Sequence, residues 1–117
     1  MSRLTTHVLD TASGRPAADL RIRLSRLEDG QELPLGECKT NADGRCDWPL
    51  LEGEALRPGC YQLVFEVGAY FRAQGVALPQ PPFLDEVVVR FGVAEAEQHY
   101  HVPLLVSPYG YSTYRGS

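Results

Sequence analysis

Cys60-Tyr61-Gln62-Leu63-Val64-Phe65-Glu66-Val67 puts Tyr61, Leu63, Phe65 and Val67 on one side of an extended chain and Gln62, Val64 and Glu66 on the other. A period of two in a β-branched and aromatic run reads as a buried strand, and Arg57-Pro58-Gly59 ahead of it reads as the turn that starts it. The same signature recurs outward in both directions. Upstream, residues 20–27 set Leu20, Ile22, Leu24 and Ser25 against Arg21, Arg23 and Arg26 before the turn Glu28-Asp29-Gly30, and residues 4–10 end at Ser13-Gly14-Arg15-Pro16. Between them and the central run, residues 37–40 and 46–50 flank the turn Asn41-Ala42-Asp43-Gly44 and read as a pair of short strands. Downstream, residues 68–75 read as one short helix, and Pro79, Pro81 and Pro82 make residues 78–83 a loop. Residues 85–91 follow with Val87-Val88-Val89 at their centre. Residues 98–106 and 111–115 are then joined through Ser107-Pro108-Tyr109-Gly110. About seven or eight short strands with turn chemistry between them describe an all-β sandwich.

The 117 residues, 44% apolar and 22% charged, suit one soluble domain spanning 1–117. A net charge of -4 offers no general attraction to phosphate backbones, and no local basic patch offsets it, so nucleic acid is an unsuitable partner. No apolar stretch has the length of a signal peptide or a membrane span, which sets a cytoplasmic location as the expectation and excludes a membrane role. Cys38, Cys46 and Cys60 are odd in number and lack a C-x-x-C spacing, so they read as thiols packed like small apolar side chains rather than as a disulfide framework or a zinc site.

Parity directs attention to the polar residues. In residues 99–106, Tyr100, Val102, Leu104 and Val106 form one face, the core, while His99, His101, Pro103 and Leu105 form the other. Near the start, His7 shares a face with Thr5 and Leu9 while Val8 points away. An imidazole-bearing face that is also half apolar calls for a cover, so these faces are expected to meet in a subunit interface, where symmetry gathers copies of the histidines around one cleft. A single strand histidine is ordinarily a partly buried polar residue bonded to backbone; three that can share one sheet surface point toward chemistry. Zinc would need a third ligand beside the H-x-H pair, and spacing marks out none, so no metal is expected. Arg45 follows Asp43-Gly44 in a tight turn, from which a long cation can lean over a neighbouring sheet. A G-x-S-x-G elbow, a cysteine beside a base and a glycine-rich phosphate loop are all lacking, which leaves water as the nucleophile and no seat for a nucleotide cofactor.

Three stretches carry a family resemblance: Thr6-His7-Val8-Leu9-Asp10, Asn41-Ala42-Asp43-Gly44-Arg45, and the closing run from His99 through Tyr114-Arg115-Gly116-Ser117. The chain resembles the 5-hydroxyisourate hydrolases of the transthyretin-like superfamily over essentially its whole length. The resemblance implies a sandwich of two four-stranded sheets with one short helix, assembled as a homotetramer, a dimer of dimers, with active sites in a channel between dimers. It implies hydrolysis of 5-hydroxyisourate to 2-oxo-4-hydroxy-4-carboxy-5-ureidoimidazoline in urate degradation, with no cofactor. Carried over by position, the catalytic residues are His7, Arg45, His101 and Ser117. His7, Arg45 and Tyr114 bind the substrate, and His99 and Ser112 stand behind them. The alternative is a non-catalytic small-molecule carrier on the same scaffold. In carriers of that kind a lysine typically takes the place of His7 and a threonine that of His101. A purely structural β-domain is a further rival.

Elementary chemistry suits the first reading. Hydrolysing a ring amide needs a base to take a proton from water, a donor or cation to steady the oxyanion, and an acid for the leaving nitrogen. His7 and His101 can share the acid and base work, Arg45 suits anionic species, and Tyr114 can stack on a flat ring and donate its hydroxyl. Ser117 can orient an imidazole as the acid of a triad does.

Overall fold

The computed structural model describes residues 2–116. Its first sheet is laid down by β1 (Arg3–Asp10), β2 (Arg15–Pro16), β5 (Leu51–Glu52), β8 (Tyr100–Ser107) and β9 (Gly110–Thr113). The second contains β3 (Arg21–Glu28), β4 (Gln31–Lys39), β6 (Gly59–Phe65) and β7 (Val87–Val93) in the order β4-β3-β6-β7. In the first sheet the order is β2-β1-β8-β9, with β5 on the other end of β1. The expected all-β sandwich is present, with four strands in one sheet and five in the other. The excess comes from β2 and β5, two residues each, which cap the free edge of β1 where four full strands were expected.

Alternation builds the core. Leu4 and Val8 of β1, Leu104 and Val106 of β8, Ile22 of β3, and Leu63 and Phe65 of β6 all point between the sheets and are fully shielded from solvent. Each such side chain contributes about 1.5–3 kcal/mol relative to an exposed one. The short helix α1 (Val67–Ala73) closes one end, burying Val67, Tyr70 and Phe71. Tyr70 donates its hydroxyl to the buried carboxylate of Asp10 at 2.9 Å, and that carboxylate also accepts the backbone N–H of Ala12 and of Ser13. Burial, then the Asp10 bond, pushes the Tyr70 hydroxyl up to about 12, so it stays protonated and continues to donate. No helix among the described residues is long and apolar enough to cross a membrane.

Four local readings need correction. Residues 37–40 and 46–50 do not pair with each other. β4 is a long edge strand that forms a hairpin with β3 through Asp29 (φ 52°) and Gly30 (φ 75°), and the chain then crosses to the first sheet, where Leu51 and Glu52 pair with β1. A turn between two short runs looks the same in sequence whether the chain folds back or changes sheet. Ser25 does not share the core face of Leu24. The β3–β6 register runs unbroken through Leu24↔Leu63, Ser25↔Gln62 and Arg26↔Tyr61, so Ser25 lies buried on the side of Gln62 and donates to Glu32 Oε2 at 2.9 Å, while Arg26 takes the side of Tyr61. The slip in the β3–β4 register is an extra residue, Leu35, on β4. Cys38 and Cys46 are joined as a disulfide with Cα atoms 6.2 Å apart, since the sheet-crossing turn returns the chain beside the end of β4; Cys60 is free and exposed. His99 lies one residue ahead of β8, exposed and outside any strand.

Candidate functional site

β1 and β8 run parallel as nearest neighbours, with Thr5 opposite His101, His7 opposite Pro103 and Leu9 opposite Leu105. Residues paired across a sheet point the same way, so the two histidine-bearing faces read from parity form one surface on the outside of the first sheet. The other edge of β1 brings Arg45 opposite His7 in an antiparallel bridge. The far edge of β8 brings Gly116 opposite His101, in the register already set by Leu104↔Thr113. Two rows therefore cross the sheet. One runs Arg45, His7, Pro103, and continues to the register position of Tyr114; the other runs Thr5, His101, Gly116.

Local sequence explains each placement. The turn before Arg45 is closed by the Asn41 side chain, whose Oδ1 accepts the Asp43 N–H at 2.9 Å and the Arg45 N–H at 3.2 Å. Gly44 adopts φ +76°, and a Cβ there would collide with the Val8 carbonyl oxygen. Glycine is thus required both by conformation and by the approach that lets Gly44 O accept the Val8 N–H at 2.8 Å. Gly116 donates its N–H to His101 O at 2.8 Å, and a Cβ on it would stand 2.6 Å from His101 Cδ2. The glycine of the closing tetrapeptide thus leaves room for an imidazole.

Three groups act on His101. Its Nδ1 lies 2.8 Å from Thr5 Oγ1. Burial, then the positive charge of Arg45, then His7 hold its pKa below the ordinary 6.5, which favours the neutral ring near neutral pH. Arg45 itself is exposed, and with Thr5 and Trp48 it lines a groove of about 200 Å³ beside the two rows. Trp48, the single tryptophan, is 80% exposed there. On this face Leu9 and Leu105 remain only half-buried beside the imidazoles.

Of the residues expected from sequence, His7, Arg45 and His101 are brought together. Tyr114 is exposed just past the end of β9, on the same side by register. Ser112 pairs with Leu105, four residues along β8 from His101 and so roughly 13 Å away at strand rise. His99 contributes its carbonyl, which accepts Arg115 Nη2 at 3.0 Å. Arg115 belongs to the opposite face, with its guanidinium 4.2 Å from the centroid of the Tyr100 ring. Ser117 lies outside the described residues. Thr5 and Gly116 were missed as members of the site, although parity already gave Thr5 the face of His7; the lacking information was that β1 and β8 are parallel and in this register.

Comparison with known proteins places the chain in a family. The family model described as HIUase/Transthyretin family matches residues 4–116. A 5-hydroxyisourate hydrolase of Pseudomonas aeruginosa is 64% identical, with the match covering 100% of this chain and 93% of that relative. The structure of Klebsiella pneumoniae 5-hydroxyisourate hydrolase is similar with a TM-score of 0.82 at 37% identity, covering 100% of both chains. The crystal structure of an (S)-allantoin synthase is similar with a TM-score of 0.94 at 46% identity over 99% of this chain, which spans 44% of that longer chain. On the extent of these matches and the architecture they share, the chain belongs to the HIUase/transthyretin family.

Proposed function

We propose that this chain hydrolyses 5-hydroxyisourate to 2-oxo-4-hydroxy-4-carboxy-5-ureidoimidazoline, as a step of urate breakdown in the cytoplasm. The observation that carries the reading is the gathering of His7, His101 and Arg45 on one outer sheet face. Full-length relatives bearing that enzyme name support it. An imidazole of the pair takes a proton from water, the water oxygen bonds to a ring carbonyl carbon, and the adjacent C–N bond breaks as the leaving nitrogen receives a proton. Arg45 favours the anionic species throughout, Tyr114 meets the flat ring, and Ser117 orients an imidazole as the acid of a triad does.

The working unit in this reading is a homotetramer whose subunits bring this face together, which supplies the cover that Leu9 and Leu105 need. The direct test is to oxidise urate in situ and follow the ultraviolet absorbance of the 5-hydroxyisourate formed. The enzyme accelerates its loss, whereas a carrier on the same scaffold leaves decay at the buffer rate. Sedimentation at micromolar concentration checks the assembly, and a monomer would remove the cover from the site.

A further inference from the structure

Neighbours on both sides fix the inner edge of the His101 ring. On the β1 side Nδ1 lies 2.8 Å from Thr5 Oγ1, and on the other side Cδ2 lies against the backbone of Gly116, where even a Cβ would come within 2.6 Å. Nδ1 and Cδ2 are the two ring atoms bonded to Cγ, so with both held within the sheet the distal edge, Cε1 and Nε2, projects off its surface. Nε2 is the nitrogen left for a substrate. What it can do depends on which nitrogen carries the proton of the neutral ring.

A threonine hydroxyl has one hydrogen and two lone pairs. Among the described residues, Nδ1 is the bonded partner of Thr5 Oγ1. With the proton on Nδ1, the hydroxyl hydrogen of Thr5 would have no acceptor among the described residues. With Thr5 donating, that hydrogen is used and only lone pairs are left over, the milder omission. We infer that Thr5 is a positioning residue that donates to His101 Nδ1 and so holds His101 as the Nε2–H tautomer, a neutral hydrogen-bond donor, which leaves both proton transfers of the reaction to His7.

The chemistry then divides cleanly. A neutral Nε2–H cannot surrender its proton without leaving an imidazolate, so it steadies the carbonyl oxygen as negative charge grows there. His7 accepts the proton of the attacking water as the C–O bond forms, and returns it to the leaving nitrogen as the C–N bond breaks, ending neutral. The surroundings agree: Arg45 faces His101 from the turn, Arg3 and His7 share its side of β1, and Pro103 and Gly116 bring no charge. An aspartate in place of Thr5 would do the opposite, drawing the proton to Nδ1 and favouring the imidazolium.

The role in turnover rests on the hydrolase reading, but the tautomer does not, and the test separates them. In the full chain labelled with 15N-histidine, without substrate, long-range 1H–15N correlations report the protonation of each ring nitrogen; His101→Gln identifies the signals. The expected result is an unprotonated Nδ1 and a protonated Nε2 at neutral pH. Thr5→Val, close in shape, is expected to collapse this pattern toward a tautomer mixture. It should also lower kcat by about tenfold, the rate equivalent of one neutral hydrogen bond. KM should move by less than about twofold, and Thr5→Ser should restore both the pattern and the rate. A proton on Nδ1 in the unaltered chain, or Thr5→Val retaining both pattern and kcat, overturns the inference. A protonated Nε2 in a chain that leaves 5-hydroxyisourate untouched supports the tautomer and refutes the hydrolase reading.

Discussion

The outer faces of the two sheets start from the same alternation and end differently. On the second sheet both arginines on the outer side of β3 have an acid: Arg21 with Glu37 at 2.9 Å, and Arg23 with Glu66 at 2.6 Å and Glu86 at 3.0 Å. On the first sheet, His7, Arg45 and His101 stand beside Leu9, Pro103 and Leu105, and among the described residues none of the three forms an ion pair. One face neutralises itself with partners from its own chain. The other keeps a cation and two imidazoles uncompensated next to apolar surface, an arrangement that suits an anionic, flat ligand and a covering subunit rather than bulk water.

The contrast is most severely tested by removing the uncompensated groups. His7→Ala, Arg45→Ala and His101→Ala are each expected to lower turnover of 5-hydroxyisourate by about a hundredfold or more, with far-ultraviolet circular dichroism and thermal midpoint little changed. Near-normal rates in all three would abolish the distinction between the faces. Gly116→Ala comes next. Its Cβ must displace the His101 ring, and turnover should fall by roughly tenfold or more, since small misplacements of a catalytic group are costly.

A smaller effect lies in pH. His101 titrates below its ordinary 6.5 in the fold, so its neutral form persists where an unfolded chain would already bind the proton. Its contribution to stability is present above 6.5 and is lost as pH falls through the folded value. The midpoint of the His101 titration, followed by 15N-histidine NMR, should accordingly lie below 6.5. In Arg45→Gln that midpoint should move upward because one cation facing the ring is gone. The smallest effect belongs to the other sheet: Arg21→Gln should leave both turnover and thermal midpoint essentially unchanged, because its ion pair is exposed.

How much of this was legible beforehand differs by kind of information. Parity along residues 99–106 and 4–10 gave the correct core and, His99 apart, the correct imidazole face, because alternation in a strand is a property of the strand alone. It could not say that β1 and β8 are neighbours, so Thr5 remained one polar residue among several until the register set it opposite His101. The turn at residues 41–44 was read correctly, but not its destination, since turn chemistry carries no record of which sheet receives the chain. Cys38 and Cys46 looked unremarkable for the same reason: their meeting depends on that change of sheet. Arg45 gained its place through family resemblance, as a solvated arginine after Asp-Gly has no local signal of function.

The bond between Thr6 and the Val102 carbonyl, and that between Thr5 and His101, each join residues 96 positions apart. A chain emerging from the ribosome must therefore carry the β8 side of β1 bare until β8 has been made. During that interval an open backbone edge flanked by Leu4 and Val8 is available to pair with another nascent copy. Expression yield should consequently respond more to translation speed and to chaperone supply than the stability of the finished sandwich alone would suggest.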